Sequence, residues 1–535
     1  MKISMLTKEN AISLLDDPKS FMHLFALAIC FGLGLWLRYY GYWAGESFHI
    51  FAINDEVSAF RVAMQFLAGE EQAFYLGQPN FSEGHAPGPA WTLFWVGLLK
   101  LGKGSIENAL LFVALLNSLL VLLVYVFARQ LLSPGYALLS CFLFAISPWP
   151  VHYALGLWNP VPLALLGVFL FITLWQVTQF EHSRAIFWVC VISAVIPHFH
   201  MIGIFYYPAI LLVLYLTRVR LNRFWFILGI LAGVLIYFPY IMGEIRHDWE
   251  NTRLILNGGS DFSFSVLKII SGPVTVLSNH PGRWLGDGLE GLLGFGDKWF
   301  ISRYVLLGVN IISLVLALAI VTKFTMHFFS LCRLHWKHPS QMLDKYPVYS
   351  FVGILFFLPL LLFALTGHNY STRYTILIFP LIFILPALYI KLSSHNKLKR
   401  FYLSSLPWMS VFSVYLLVSF YTHMSYQIEG DEYFINSFKK MEQIRETIKH
   451  HAGTNSRVQL VIDDYIGSAP ERLRISTVAM ADYLDIYETY LTNFTADSKT
   501  KTKTKSYILR AENDVLAEDL DAAYRANGIV IYPVR

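Results

Sequence analysis

The chain has 535 residues, of which 56% are hydrophobic and 16% aromatic, and its mean hydropathy is +0.50. Only 14% of the residues are charged, against roughly 25% in soluble domains, so the composition predicts an integral membrane protein. The formal net charge of +5 is too small and too evenly spread to favour a nucleic-acid partner. The four cysteines lie in apolar runs or in a basic loop, which excludes a disulfide framework.

Apolar runs long enough to cross a hydrocarbon core of about 30 Å are spaced along most of the chain. The eleven runs are residues 21–40, 109–128, 135–152, 160–179, 185–202, 203–217, 224–243, 304–326, 347–366, 374–391 and 401–421. The first run follows a mixed-charge start without a small-x-small cleavage site, so we interpret it as a retained anchor. No run carries Asp or Glu at mid-membrane depth, which disfavours an ion-coupled transporter.

The loops between these runs predict the orientation. The run 90–101 is short and contains Lys100, so we expect it to lie along the interface, which places all the basic loops on one side. These loops carry Arg129, Arg184, Arg218, Arg220, Arg223, Arg333, Lys337, Lys345, Lys391, Lys397, Lys399 and Arg400. By the positive-inside rule, we predict about 11 spans, and at most about 13, in the cytoplasmic (inner) membrane, with a cytoplasmic N-terminus and an extracytoplasmic C-terminus.

With this orientation, most polar segments of interest share the outer face. They are residues 41–108, 153–159, 197–202, 244–303, 367–373 and 422–535. The long outer loop is rich in glycine between residues 257 and 300. Such a loop either closes over a substrate and excludes water, or is a plain surface connector.

An acidic pair stands near the start of the outer segment 41–108. Apolar residues at positions 53, 57, 60, 64 and 67 predict an amphipathic helix on the membrane surface. Asn54 can cap this helix, which places Asp55 and Glu56 in its first turn, where the helix dipole favours ionised carboxylates. An ionised carboxylate held there is suited to act as a general base. The alternative is that both acids only stabilise the start of the helix.

The next stretch, 77-GQPNFSEGHAPGPAWTLFWVGLL-99, is rich in glycine and proline and predicts a non-helical path. Glu83 and His85 lie within it and are candidates to orient a ligand. They are also weak candidates for ligands of a divalent metal, because Glu-x-His alone is a loose metal pattern. A divalent metal is therefore the one cofactor that the sequence leaves open.

Four further motifs follow in order. They are 147-SPWPVHYALGLWNPVPLALL-166, 195-VIPHFHMIGIFYYP-208, 239-PYIMGEIRHDWENTRLIL-256 and 369-NYSTRYTILIFPLIFIL-385. With the acidic pair and the Gly/Pro-rich stretch, this order resembles the GT-C glycosyltransferases. More narrowly, it resembles the bacterial protein O-mannosyltransferase-like group, which includes the lipid A aminoarabinose transferases. The resemblance covers residues 1–425 and implies a polytopic helical GT-C fold.

The resemblance also implies roles for individual residues. Asp55 matches the first acid of the family's pair and is the expected general base, while Glu56 orients the helix or the acceptor. Arg373 lies at the outer end of a span, where its guanidinium can bind phosphate oxygens in a bidentate way or serve as an interface anchor. Further substrate-binding candidates are Glu83, His85, Asn159, His198, His200, Arg246, Arg253, His368 and Tyr370.

Two positions depart from the pattern of the aminoarabinose transferases. Asn159 stands where those enzymes carry an acidic residue, and this puts an acid-rich metal site in doubt. Gly84 and His85 stand where they place a lysine after the glutamate. His198 and His200 alternate with Phe199, so they cannot both face the same way on a regular helix.

From residue 425 the chain becomes polar, which predicts an extracytoplasmic α/β domain at 425–535 after a transmembrane catalytic module at 1–424. Strand patterns occur at 457–467 and 528–535, and helical patterns at 434–450 and 510–526. The run 498-SKTKTKTKS-506 is of low complexity and is interpreted as a solvated loop.

The sequence thus predicts a membrane glycosyltransferase. Its expected partners are a polyprenyl-phosphate-linked sugar, membrane lipid and an acceptor glycolipid, glycan or protein. An acceptor hydroxyl must lose a proton and a phosphate must leave, so the reaction needs a base and cations. The alternatives are a transporter or flippase of lipid-linked sugars and an envelope polysaccharide polymerase or ligase.

Overall fold

The computed structural model describes residues 18–44, 54–69, 75, 88–154, 156, 158–180, 182–257, 267–278, 303–365, 372–392, 397–430, 456–462, 503–511, 524–526 and 529–533. The first nine helices are α1 (Pro18–Ala44), α2 (Asn54–Leu67), α3 (Ala90–Leu101), α4 (Ile106–Leu131), α5 (Pro134–Ile146), α6 (Pro148–His152), α7 (Leu163–Phe180), α8 (Ala185–Phe199) and α9 (Tyr206–Thr217). The next nine are α10 (Arg223–Arg246), α11 (Glu250–Asn257), α12 (Leu267–Leu277), α13 (Arg303–Leu334), α14 (Ser340–Lys345), α15 (Pro347–Ala364), α16 (Phe379–Ile382), α17 (Leu385–Leu392) and α18 (Lys397–Gly430). Two 3-10 helices cover Met201–Phe205 and Thr372–Ile378.

Within these described residues, seven helical segments are long and apolar enough to cross a membrane. They are Phe21–Tyr40, Asn108–Leu131, Leu163–Phe180, Arg223–Arg246, Ile311–Leu334, Pro347–Ala364 and Tyr374–Leu392. Shorter apolar helices cover Ala90–Leu101, Pro134–Ile146, Ala185–Phe199 and Met201–Thr217. Each apolar run singled out in the sequence coincides with helical structure, which confirms the multi-pass helical architecture.

The segment Tyr374–Leu392 is the most enclosed of the seven, and 89% of its apolar stretch is buried within the protein. It consists of a 3-10 helix and two short α-helices rather than one regular helix. Irregular backbone is tolerated at membrane depth only where protein surrounds it. Gly167 of α7 allows this packing, because a Cβ there would lie 2.2 Å from the carbonyl oxygen of Leu377.

Helix α2 differs from its predicted placement. Phe60 and Met64 of the apolar stripe are fully buried, and Ala59 and Ala63 are buried as well. The stripe therefore packs against protein rather than lying on a membrane surface. The cause is an aromatic partner in α3, where the ring of Trp95 lies 5.9 Å from that of Phe60.

The C-terminal residues that the structure describes form a four-stranded sheet. Its strands are β1 (Ser456–Ile462), β2 (Lys503–Ala511), β3 (Tyr524–Ala526) and β4 (Ile529–Pro533), in the order β1-β2-β4-β3. The pair β1–β2 is parallel, and the other two pairs are antiparallel. Strand β4 falls within the pattern predicted at 528–535, and β1 begins one residue before the pattern predicted at 457–467.

Two interpretations of this region were wrong. Residues 503–506, interpreted as part of a solvated loop, begin strand β2, because alternating Lys and Thr have the two-residue period of a strand. The helix predicted at 510–526 is also wrong at both ends, because residues 510–511 belong to β2 and residues 524–526 form β3. The pattern at 434–450 lies outside the described residues. Helix α18 continues to Gly430, so the predicted boundary at 424/425 falls within its last turns.

Candidate active site

The acidic pair is held through a chain of aromatic contacts. Asp55 and Glu56 lie in the first turn of α2, where the structure describes the backbone. Helix α2 packs on α3 through Phe60 and Trp95. One turn earlier on α3, Trp91 lies 5.8 Å, ring to ring, from Phe199 at the end of α8. The acidic helix is therefore connected to the segment that carries the two candidate histidines.

Gly88 joins the Gly/Pro-rich stretch directly to His198. The φ angle of Gly88 is +111°, a conformation that residues with a side chain rarely adopt. A Cβ at this position would lie 2.4 Å from Cε1 of His198. Only glycine meets both requirements, so Gly88 packs directly against the imidazole of His198.

His198 is fully buried, and neither of its ring nitrogens has a hydrogen-bond partner among the described residues. Its ring meets the ring of Tyr237 on α10 edge to face, with centroids 4.7 Å apart. A buried polar group without a partner is costly, and most such groups in proteins are satisfied. His198 is thus the described candidate whose chemistry most requires a ligand.

His200 has a different role from His198. Its backbone is extended, with φ −161° and ψ 131°, and its Nδ1 accepts a hydrogen bond of 3.2 Å from the backbone N–H of Ile202. The imidazole therefore caps the 3-10 helix Met201–Phe205. Its ring also lies 5.4 Å from that of Tyr374, the residue after Arg373. The structure thus places the backbone of Arg373 next to the histidine pair.

Asn159 reaches the same region through an aromatic stack. The ring of Tyr153 stacks between Trp149, at 5.8 Å, and Trp158, at 6.0 Å. Tyr153 also contacts Phe379, which directly follows the 3-10 helix that carries Arg373. Asn159 is half-buried in the turn after Trp158.

The two candidate arginines after α10 differ in their contacts. The guanidinium of Arg246 lies 4.2 Å from the ring centroid of Tyr75, so it contacts the segment that links the acidic pair to the Gly/Pro-rich stretch. Arg253 instead donates a hydrogen bond to the backbone carbonyl of Asp248, which is a local contact within its own turn. Of the two arginines, Arg246 is the one for which the structure shows a contact with the outer segment 41–108.

Sequence reasoning missed Glu244, which is 1% exposed at the end of α10. Its Oε2 accepts a hydrogen bond of 3.0 Å from the backbone N–H of Thr252, in the first turn of α11. Nearby, Asn251 donates through Nδ2 to the hydroxyl of Tyr240 at 2.7 Å. The available signal was an acid in the last turn of an apolar helix, shortly before a second helix whose first N–H groups need acceptors.

The remaining candidates lie outside the described residues: Glu83, His85, His368 and Tyr370. The side chain of Arg373 also lies outside the described part of the chain. Among the described residues, no group of three or more His, Cys, Asp or Glu side chains is arranged to hold a metal ion. The metal hypothesis for Glu83 and His85 therefore stays a prediction.

Residues 84–242 match the family model of dolichyl-phosphate-mannose-protein mannosyltransferases. The matched region is less than half of the chain, but it contains Gly88, Asn159 and both histidines. Among curated proteins, none matches the chain with significant sequence similarity.

Solved structures share the architecture at low sequence identity. ArnT from Cupriavidus metallidurans bound to undecaprenyl phosphate superposes with a TM-score of 0.52 and 12% identity, covering 96% of this chain and 97% of that chain. The apo state of the same ArnT gives the same values. The oligosaccharyltransferase of Archaeoglobus fulgidus in the apo form gives a TM-score of 0.46 and 13% identity, covering 92% of this chain and 70% of that chain.

The chain is a multi-pass helical membrane protein with the GT-C fold. The family-model match at residues 84–242 indicates glycosyltransferase activity, and the fold is similar to that of GT-C enzymes.

Proposed function

We propose that the chain transfers one sugar from a polyprenyl-phosphate donor to an acceptor at the outer face of the cytoplasmic membrane. One observation supports this proposal: ring contacts within the helical bundle link the helix of Asp55, the histidine pair and the backbone next to Arg373. The undecaprenyl phosphate bound to the similar ArnT supports a lipid phosphate as the carrier. The acceptor is a glycolipid, a glycan or a protein.

In this mechanism Asp55 is the general base. The acceptor hydroxyl oxygen attacks the anomeric carbon while its proton passes to the Asp55 carboxylate. The bond between the anomeric carbon and the phosphate oxygen breaks, and its electron pair stays with the phosphate. One in-line displacement of this kind inverts the anomeric configuration. Glu56, in the same helical turn, orients the acceptor.

The leaving phosphate gains negative charge, which cations and hydrogen-bond donors must stabilise. Arg373 is suited to bind it in a bidentate way, because the guanidinium geometry matches phosphate oxygens. The ring of His198, whose nitrogens lack a partner among the described residues, packs on Tyr237 of α10, the helix that ends at Arg246, and both side chains are further candidates to bind the phosphate. Asn159, His200, His368, Tyr370 and Arg253 are expected to shape the sugar and acceptor sites around them.

The decisive experiment compares cells with the wild-type gene, without the gene and with Asp55→Asn. Mass spectrometry of envelope glycolipids, glycans and glycoproteins should reveal one product that lacks a single sugar in the deletion strain. Asp55→Asn should give the same loss at normal protein level, with the lipid-linked donor accumulating, because general-base removal costs about 10²–10⁴ in rate.

Asp248→Asn is the matched control, because Asp248 is an exposed acid in the turn after α10. This variant should retain the product. A flippase predicts a different pattern, in which Asp55→Asn keeps the sugar on its acceptor. That outcome would refute the proposed transferase.

A further inference from the structure

One buried residue, Glu244, accepts hydrogen bonds across the turn between α10 and α11. The backbone carbonyl of Glu244 accepts a hydrogen bond of 2.7 Å from the N–H of Trp249, and its carboxylate accepts one of 3.0 Å from the N–H of Thr252. A single residue thus satisfies donors on both sides of the place where α11 begins. The carboxylate also faces the N-terminal end of α11, where the helix dipole favours negative charge.

The backbone of this turn is unusual. Asp248 and Trp249 have φ angles of +51° and +60°, in the left-handed region that costs non-glycine residues roughly 1–2 kcal/mol each. Such conformations persist only where the surrounding structure determines them. The two hydrogen bonds to Glu244 contribute to this, as do the bond from Asn251 to Tyr240 and the bonds from Arg253 to the carbonyls of Asp248 and Trp249.

Arg246 lies between Glu244 and this turn, and its guanidinium covers the ring of Tyr75. A cation–π contact depends on the position of the guanidinium over the ring. If the turn opens, the end of α10 loses its hydrogen bonds to Trp249 and Thr252. The guanidinium of Arg246 is then no longer held over the ring of Tyr75. The last turn of α10 thus connects the buried Glu244 to the exposed Arg246.

We infer that Glu244 is a positioning residue for sugar transfer: it holds the 247–249 turn closed and thereby keeps Arg246 against Tyr75. This inference rests on the proposed function only where it concerns substrate. The contact joins the start of the long loop 244–303 to the segment 41–108, which carries Asp55. Glu244 itself acts through Arg246 and touches no reacting atom.

Hydrogen–deuterium exchange tests the structural part without any substrate. Glu244→Ala removes the side-chain acceptor of the Thr252 N–H but keeps the backbone acceptor of Trp249, so it should accelerate exchange of the Thr252 amide and of the peptide that contains Tyr75. Glu244→Gln should leave both slow, because its amide oxygen still accepts from Thr252. Glu250→Ala, an exposed acid in the first turn of α11, is the matched control and should match the wild type. Unchanged exchange at the Tyr75 peptide in Glu244→Ala would overturn the inference.

Binding of undecaprenyl phosphate to the full chain in detergent tests the functional part. Glu244→Ala should weaken it about tenfold, the size expected when the phosphate loses one charged hydrogen bond from a displaced Arg246, whereas Glu244→Gln should recover most of the affinity. In a Tyr75→Leu background, Glu244→Ala should cost little more, because residues that act as one unit are not additive.

A fully additive double variant, or a Glu244→Gln as weak as Glu244→Ala, would refute the positioning role. If the wild-type chain does not bind undecaprenyl phosphate at all, the proposed function fails instead. The exchange experiment then still decides whether Glu244 holds the turn closed.

Discussion

Helices α15 and α10 are equally apolar but occupy opposite positions in the bundle. The mean hydropathy of the apolar stretch is 2.2 in Pro347–Ala364 and 2.1 in Arg223–Arg246. Within the protein, however, 67% of the first apolar stretch is buried, against 6% of the second. Hydropathy therefore identifies a span but not its depth in the bundle, because lipid tails and a protein core are similarly apolar.

The difference lies in how each helix is held. Helix α15 is surrounded by side chains such as Phe328, whereas α10 contacts α8 along a seam of small residues. A Cβ on Gly229 would lie 2.8 Å from the Cβ of Cys190, and one on Gly233 would lie 3.4 Å from the Cβ of Ala194. The peripheral helix is thus held by backbone proximity on one face, and it carries Tyr237, Tyr240 and Glu244 towards the candidate site.

The largest expected difference in the free energy of unfolding is between two matched leucine-to-alanine substitutions. Leu355 of α15 is 0% exposed, and Leu235 of α10 is 71% exposed. We expect Leu355→Ala to lower the free energy of unfolding by roughly 2–5 kcal/mol, since it leaves a cavity. Leu235→Ala should change it by less than about 0.5 kcal/mol. Denaturant unfolding in detergent measures both, and equal losses would contradict the contrast in burial.

A smaller effect is expected from overpacking the central helix. A Cβ on Gly353 of α15 would lie 2.0 Å from Cδ2 of Phe328, so Gly353→Ala must displace that ring. The free energy of unfolding should fall by roughly 1–3 kcal/mol, the usual cost of overpacking. A Cβ on Gly97 of α3 would meet no described atom within 4 Å, so Gly97→Ala should not destabilise the protein. A thermal-shift series on both variants checks this, and equal behaviour would contradict the packing.

The corresponding change on the peripheral helix should affect stability less. A methyl group at Gly229 would press on Cys190 and on the backbone of Phe187, but α10 can shift towards its exposed face. We expect Gly229→Ala to cost about 1 kcal/mol. Transfer activity should fall at the same time, because Tyr237 and Glu244 move with the helix. A loss of stability larger than that of Gly353→Ala would show that α10 is held more tightly than its burial indicates.

The smallest expected effect has the opposite sign and concerns the contact between α8 and α10. His198→Phe removes two buried nitrogens that have no partner among the described residues. We expect a gain of less than about 1 kcal/mol in stability together with weaker binding of undecaprenyl phosphate. His200→Phe is the control, because it removes the cap on Ile202 and should cost about 1 kcal/mol. If His198→Phe lowers stability and keeps binding, the imidazole is structural.

Much of the fold could be predicted from the sequence, because a long apolar run in a membrane satisfies its backbone hydrogen bonds by forming a helix. The acidic first turn of α2 was also predictable, since Asn54 and the apolar spacing define the start of that helix. The face on which α2 lies was not, because an amphipathic stripe is equally suited to lipid and to the rings of α3. That choice depends on Trp95, whose position is set by tertiary packing.

For the candidate site, the sequence identified several individual residues but not the contacts between them. Arg246 was identified from its place after a span, but its contact with Tyr75 joins residues far apart in the chain. Glu244 was missed because a carboxylate next to an apolar helix is typical of an interface residue unless the following turn is known. The strand at 503–511 was missed because a repetitive Lys-Thr run suggests low complexity more strongly than period-two alternation.

The absence of glycine from the turn formed by Asp248 and Trp249 has a lasting consequence. Glycine would let the chain leave α10 in many directions, whereas two bulky residues in the left-handed region leave very few. The direction in which the long loop departs from the bundle is therefore fixed by side-chain size. Replacing either residue with glycine is expected to preserve the helices while allowing the chain after α10 to take more than one direction.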